Sequence, residues 1–160
     1  AEVFPSKRGV CVSKNAKVFA SSTRNGKVSN IVKPVKNMTA VFESKDEAAP
    51  FVVIELGKAA SVSGLEIIAD HKDRQNTMRA LTVWTSTDNK NWVEIWRADP
   101  YHIGMGRDWH VNPYEVLPAK YVKIGLRPKS ELPFQPEDER MKMGKYALKL
   151  NRICVYSSAL

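Results

Sequence analysis

The sequence predicts an all-β domain, an antiparallel sandwich or barrel, on two observations. Apolar and polar residues alternate with a period of two in short runs, and clusters of Gly, Pro, Asn and Asp separate those runs. Amphipathic helix patterning is weak, and no internal repeat or low-complexity segment interrupts the chain. The predicted strands are Phe51–Leu56, Val62–Ala69, Ala80–Ser86, Trp92–Ala98, Trp109–Val116, Tyr121–Arg127 and Ala147–Tyr156. Weaker ones surround Val18–Ser22 and Val10–Val12. About eight short strands with turns between them favour antiparallel pairing over an α/β arrangement.

The stretch LTVWTSTDNKNWVEIWRA, from Leu81 to Ala98, is the plainest element. Two alternating, aromatic-rich halves flank Asp88-Asn89-Lys90-Asn91. Asp and Asn cap their own backbone and tolerate left-handed conformations, so this is a β-hairpin.

Loop lengths divide the sandwich into two unequal ends. If successive strands alternate in direction, the short links Gly57–Ser61, Asp88–Asn91 and Leu117–Lys120 fall at one end. The long links, about 24–50, 70–79, 99–108 and 128–146, fall at the other. Long loops on a rigid β scaffold are where function tends to sit. The hairpin turn belongs to the economical end and is support.

Three of the long links carry recognition chemistry. DHKDRQNTMR places His71, Arg74, Gln75 and Asn76 together, offering a planar fork of donors, an imidazole and two amides that can bracket vicinal hydroxyls. DPYHIGMGRDW supplies Tyr101, His102 and Trp109, whose rings can stack on the apolar face of a pyranose. Trp109 can equally begin a strand and face the core. In PKSELPFQPEDERMKMGK, Phe134 is a large apolar group in a proline-stiffened polar loop, suited either to stacking or to pinning the loop down.

Composition narrows the function classes. The chain has 43% hydrophobic and 26% charged residues, an ordinary globular balance. At 160 residues it forms one domain able to bury roughly 70% of its unfolded surface. No apolar run approaches the roughly 20 residues of a membrane-spanning helix, and Ala1–Pro5 lacks the basic, apolar pattern of a signal peptide. Net charge is +8, and eight of the 25 Lys and Arg lie in the first 40 residues against one acid, Glu2. Such a basic quarter can attract anionic glycans, acidic lipid or nucleic acid. Without a recognition helix or a clear stacking sheet, it argues against nucleic acid.

Catalytic signatures are absent. There is no nucleophile elbow, no His-Glu-x-x-His, no P-loop and no cysteine pair at zinc spacing, so no enzyme activity and no metal are expected. His71, His102 and His110 match no standard ligand set. The two cysteines, Cys11 and Cys154, sit near opposite ends of the chain, each in an alternating stretch. They either form a disulfide, contributing about 4–5 kcal/mol in the chain-entropy model, or are separate buried thiols.

The segments FVVIELGKAASVSGLEII, DRQN, LTVWTSTDNKNW, AKYVKIGLR and LKLNRICVYS resemble, in order, those of discoidin-type domains. These are also called coagulation-factor type C domains, within the galactose-binding-like superfamily. Leu56-Gly57, Ser86-Thr87-Asp88 with Trp92, Tyr121-Val122-Lys123 and Val155-Tyr156 carry the resemblance, which spans about residues 16–157. It implies an eight-stranded jelly-roll β-sandwich with ligand loops clustered at one end. Many bacterial members are carbohydrate-binding modules of secreted glycoside hydrolases. In such members the Arg74-Gln75 position, nearby His and Asn groups similar to His71 and Asn76, and an aromatic in the loop of Phe134 meet the sugar. The resemblance also implies a structural calcium ion, but NIVKPVKNMTAVF carries Lys33 and Lys36 where oxygen ligands are needed. The acid usual in the last strand is Asn151.

The expected function is therefore a non-catalytic, extracellular or cell-surface carbohydrate-binding module. It would recognise a galactose-type or acidic sugar through His71, Arg74, Gln75, Asn76, Tyr101, His102, Trp109 and Phe134, beside other domains of a larger polypeptide. The alternatives are an adhesion module for an anionic surface or protein partner, and a structural spacer in a larger secreted enzyme.

Overall fold

The computed structural model describes residues 9–33, 42–69, 80–98, 108–131 and 144–157. Among them ten strands follow in chain order: β1 (Val10–Cys11), β2 (Lys17–Ala20), β3 (Asn25–Gly26), β4 (Phe42–Glu43), β5 (Phe51–Ala69), β6 (Leu81–Ser86), β7 (Val93–Arg97), β8 (Asp108–Val111), β9 (Pro118–Leu126) and β10 (Lys149–Ser157). Every strand pairing is antiparallel. The described residues contain no α-helix, only short 3-10 turns at Val28–Val32 and Lys129–Glu131.

One strand builds both layers. From Phe51 to Glu55, β5 pairs with β2 on one side and β9 on the other; from Val62 to Ala69 it pairs with β10 and from Leu65 to Ile68 with β8. The first layer therefore reads β2-β5-β9-β6-β7. The second reads β8-β5-β10-β4-β3, with β1 also on β10. The expected link at Gly57–Ser61 is a correction to the sequence reading. It is a bulge inside a continuous strand: Glu55 opposes Tyr121, but Ala60 opposes Ala119, and Gly57 has φ +86°. A bulge uses the same left-handed glycine that a turn would.

Alternation decides which side chains meet between the layers. Val52, Ile54, Val83, Ile95, Val122 and Ile124 come from the first layer. They join Phe42, Leu65, Ile67, Val111, Ile153 and Val155 of the second in one buried apolar cluster. At roughly 1.5–3 kcal/mol for each fully buried large aliphatic or aromatic side chain, this cluster is the main stabilising contribution.

The opposite face of the first layer is polar and aromatic. There the Lys123 Nζ sits 4.7 Å from the Trp84 ring centroid and 5.1 Å from those of Phe51 and Trp92. Partial burial lowers the Lys123 pKa, and the three ring faces provide compensating negative potential.

The Leu81–Ala98 hairpin forms as expected. The Asp88 carboxylate accepts hydrogen bonds from Lys90 N (2.9 Å), Asn91 N (2.8 Å), Asn91 Nδ2 (2.7 Å) and Ser86 Oγ (2.9 Å). Asn89 adopts φ 63°. These donors, those of Asn91 first, hold the Asp88 carboxyl well below the usual carboxylate range. Two strands escaped the sequence reading: β3 and β4 lie within the long link expected at 24–50. The strand expected at Trp109–Val116 is only Asp108–Val111.

Gly125 is where β9 passes closest to the start of β5. A Cβ there would lie 2.7 Å from the Pro50 carbonyl oxygen and 2.8 Å from Phe51 Cβ. Gly125→Ala is expected to cost about 1–3 kcal/mol, the usual range for overpacking. Urea unfolding should show a lower midpoint at unchanged slope; an unaltered midpoint would mean the two strands separate without cost.

Candidate functional site

Strand registers show where the long links leave the sandwich. In the first layer, Ala98 N donates to Leu81 O (2.9 Å), Arg127 N to Ala80 O (2.9 Å), Leu126 N to Pro50 O (3.0 Å) and Ser21 N to Phe51 O (2.9 Å). In the second layer, Ala69 opposes Leu150, Ile68 opposes Asp108, and Lys149 opposes Glu43. Here Ser44 N donates to Leu148 O (3.0 Å) and Glu47 and Tyr146 exchange backbone bonds of 3.0 and 2.9 Å, continuing the β4–β10 pairing, while the Tyr146 hydroxyl donates to Arg127 O and joins the second layer to the first. The residues flanking 70–79, 99–107 and 132–143 thus gather at one end. The 86–91 turn and the Leu117 contact with Val62 (3.2 Å) lie at the other.

A polar frame holds this end in shape. The Glu47 carboxylate accepts from Ser21 Oγ (2.7 Å) and from Ser22 Oγ. Ser21 Oγ in turn accepts from Phe51 N and Ser22 Oγ from Lys45 N, each at 3.0 Å. Leu148 N donates to Ser44 Oγ (2.8 Å). Arg24 pairs with Glu43 and Asp46, both at 3.3 Å, and Arg97 grips Glu94 with bonds of 2.6 and 2.9 Å. Glu94 raises the Arg97 pKa, chiefly through that hydrogen bonding.

Beneath the end lies Arg127, 1% exposed, with Nε 3.4 Å from Ala80 O. Burial lowers its pKa. Beside it, Tyr146 is fully buried, and burial pushes its phenol up to about 12. The sequence reading missed both residues. Arg127 follows the inward positions Val122, Ile124 and Leu126, so alternation points it outward. Nothing in the alternation marks a buried guanidinium.

The expected ligand residues divide clearly. His71, Arg74, Gln75, Asn76, Tyr101, His102 and Phe134 lie outside the described residues. Trp109 lies in β8 opposite Ile67, so it does begin a strand. His110, beside it, is exposed. Cys11 and Cys154 are free thiols rather than a disulfide, although they line the same cavity.

A calcium ion finds a poor donor set in what is described of the stretch around Asn30–Phe42. Lys33 is a cation, Phe42 is 1% exposed in the core, and the next acid, Glu43, is engaged by Arg24 and by Asn25 Nδ2 (3.2 Å). Among the described residues of that stretch, six to eight oxygen ligands are not assembled. Among the described residues no cluster of three or more His, Cys, Asp or Glu could hold a metal, and no helix is long and apolar enough to cross a membrane.

The fold has well-defined structural relatives. A Clostridium perfringens module, CpGH89CBM32-5, solved with GalNAc-β-1,3-galactose, superposes with a TM-score of 0.68 at 13% identity, over 92% of this chain and all of the module. A Streptococcus pneumoniae fucose-binding module, SpX-3, gives 0.66 at 16% identity, over 94% of this chain and 99% of its own. The lectin domain of lectinolysin, complexed with Lewis B antigen, gives 0.67 at 16% identity, over 94% and 98%. The chain has the fold of carbohydrate-binding modules and lectin domains, the sandwich implied by the discoidin resemblance. No protein family and no curated protein sequence matches it.

The Tyr146 hydroxyl is the link between the last segment and the end of β9. Tyr146→Phe is expected to lower stability by about 0.5–1.5 kcal/mol, the net value of a typical hydrogen bond, leaving the Arg127 carbonyl without it. Equilibrium urea unfolding reads this, and a stabilised variant would exclude the bond as a tie.

Proposed function

We propose that this domain is a non-catalytic carbohydrate-binding module that takes a neutral or acidic sugar at the end where its long links gather. One observation carries the reading: the flanks of 70–79, 99–107 and 132–143 converge on a single hydrogen-bonded rim. Support comes from a fold shared with modules whose own ligands are fucose, GalNAc-β-1,3-galactose and Lewis B antigen. In this reading Arg74 and Gln75 bracket sugar hydroxyls with His71 and Asn76, and Tyr101, His102, Trp109 or Phe134 supply the stacking surface. Charge-assisted bonds from a guanidinium to vicinal hydroxyls fix orientation, while ring stacking supplies apolar contact. The domain works outside the cell, attached to other domains that it brings to a glycan surface.

A second reading rests on a separate observation. Lys14, Lys17, Lys27 and Lys33 are all exposed, within a quarter of the chain that has a single acid in its first 40 residues. Such a surface suits an anionic partner, whose affinity would fall steeply with salt because screening acts over about 8 Å at physiological ionic strength.

Calorimetric titration with galactose, N-acetylgalactosamine, fucose and a uronic-acid oligomer, at low and high salt, separates the two readings. The proposal expects saturable heat from at least one of these sugars, indifferent to salt where that sugar is neutral. It also expects that heat to be lost in Arg74→Ala while the unfolding curve stays unchanged. Silence from a full glycan panel at millimolar concentration would overturn it.

A further inference from the structure

One face of the molecule belongs neither to the core nor to the rim. Strand registers set Phe19, Val53, Lys123, Trp84 and Glu94 side by side across β2, β5, β9, β6 and β7. Their chain neighbours Val18, Ala20, Val52, Ile54, Val122 and Ile124 belong to the core or pack against it. Side chains alternate along a strand, so the row itself stands on the outer surface of the first layer. From Phe19 to Trp84 it runs about 14 Å, at roughly 4.8 Å per strand. Two residues to either side, Phe51 opposes Gly125 and Glu55 opposes Tyr121. Trp92 completes the face, since its ring lies 5.1 Å from the Lys123 Nζ. None of these five rings is fully buried, and Phe19 is 55% exposed. Val53, only 7% exposed yet outside the core cluster, forms the floor of the patch.

Charge on this face is uneven. Glu94 is taken up by Arg97 at 2.6 Å, and Glu55 stands directly opposite Lys17. Lys123 has the rings of Phe51, Trp84 and Trp92 around its ammonium, but no carboxylate among the described residues pairs with it. Ring quadrupoles offset an ammonium only in part. A surface of aromatic rings therefore carries an uncompensated positive charge at its centre.

We propose that this outer face is a second glycan site, which takes a linear oligomer of uronic acid laid across the strands. Two features select that occupant. Rings spread over three strand spacings offer stacking to a run of pyranoses rather than to one sugar. The half-buried ammonium among them favours a chain that brings carboxylates, because a charge-assisted hydrogen bond is about twice as strong as a neutral one. The row lies along the side of the sandwich and uses none of the long links, so it does not depend on the rim binding a sugar.

The test is calorimetric titration of the whole domain with hexagalacturonate and with its fully methyl-esterified form, which keeps the sugar rings and loses the charges. The wild type should bind the acid about tenfold more tightly than the ester, near the lower end of what hydrogen bonds to charged groups contribute. Lys123→Met should erase that preference. Phe19→Ser, at an exposed position, should weaken both oligomers several-fold while the unfolding midpoint stays within error. In amide NMR spectra the acid should shift Val53, Trp84 and Lys123 and leave Ala80 and Tyr146 unmoved. Absence of binding by the acid at millimolar concentration, or a preference that survives in Lys123→Met, would overturn the proposal. Shifts at Ala80 and Tyr146 in place of Lys123 would assign the acid to the rim. Concentration-dependent dimerisation abolished by Phe19→Ser would give the face to a second copy of the chain; either result also overturns it. A rim that binds no sugar at all would leave the proposal standing.

Discussion

The structure depends on β5 belonging to two sheets at once. Its 19 residues pair with β2, β9, β10 and β8, so each layer is hydrogen-bonded to the same strand. The bulge at Gly57 lies close to the change of layer: past the register shift between Glu55 and Ala60, Ala60 and Ser61 still pair with β9, and from Val62 the strand pairs with β10. Val52 and Ile54 on one side of the bulge, and Leu65 and Ile67 on the other, then enter the same core.

The core fixes the two layers, and buried polar groups fix the end. Backbone groups at strand termini must find partners once they leave a ladder. Here Ser44 and Glu47 supply those partners along the continuation of the β4–β10 pairing, and the Tyr146 hydroxyl supplies one across to the end of β9. A rim made rigid in this way presents its long links from a defined base, which lowers the ordering cost of binding a flexible glycan. The opposite end needs only the Asp88 turn. Its carboxylate satisfies the local N–H groups and leaves nothing reactive exposed.

Much of the fold was legible because alternation records burial. Val52 and Ile54, or Val122 and Ile124, stand two apart where the strand presents one face to the core, and Asp88-Asn89 announces its turn. Gly57 misled because a glycine before small polar residues marks a turn and a bulge equally. Phe42–Glu43 and Asn25–Gly26 are too short to show any period. Of the site, the sequence showed which long links carry forks and rings, and strand registers bring the flanks of three of them together. It could not show Arg127 buried beneath them, since alternation points that side chain outward and Tyr146, whose hydroxyl bonds the Arg127 carbonyl, stands 19 residues further on. Nor did spacing alone reveal that Cys11 and Cys154 share one cavity.

The central claim is that ligand recognition belongs to the rim and not to the hairpin end. Backbone-amide NMR shifts during titration with N-acetylgalactosamine or fucose test it most directly, because each end carries described reporter residues. The account predicts that Ala80, Ala98, Arg127 and Tyr146 shift with saturation while Asn89, Asn91 and Leu117 stay still. Shifts confined to the hairpin end, or spread evenly over both, would contradict it.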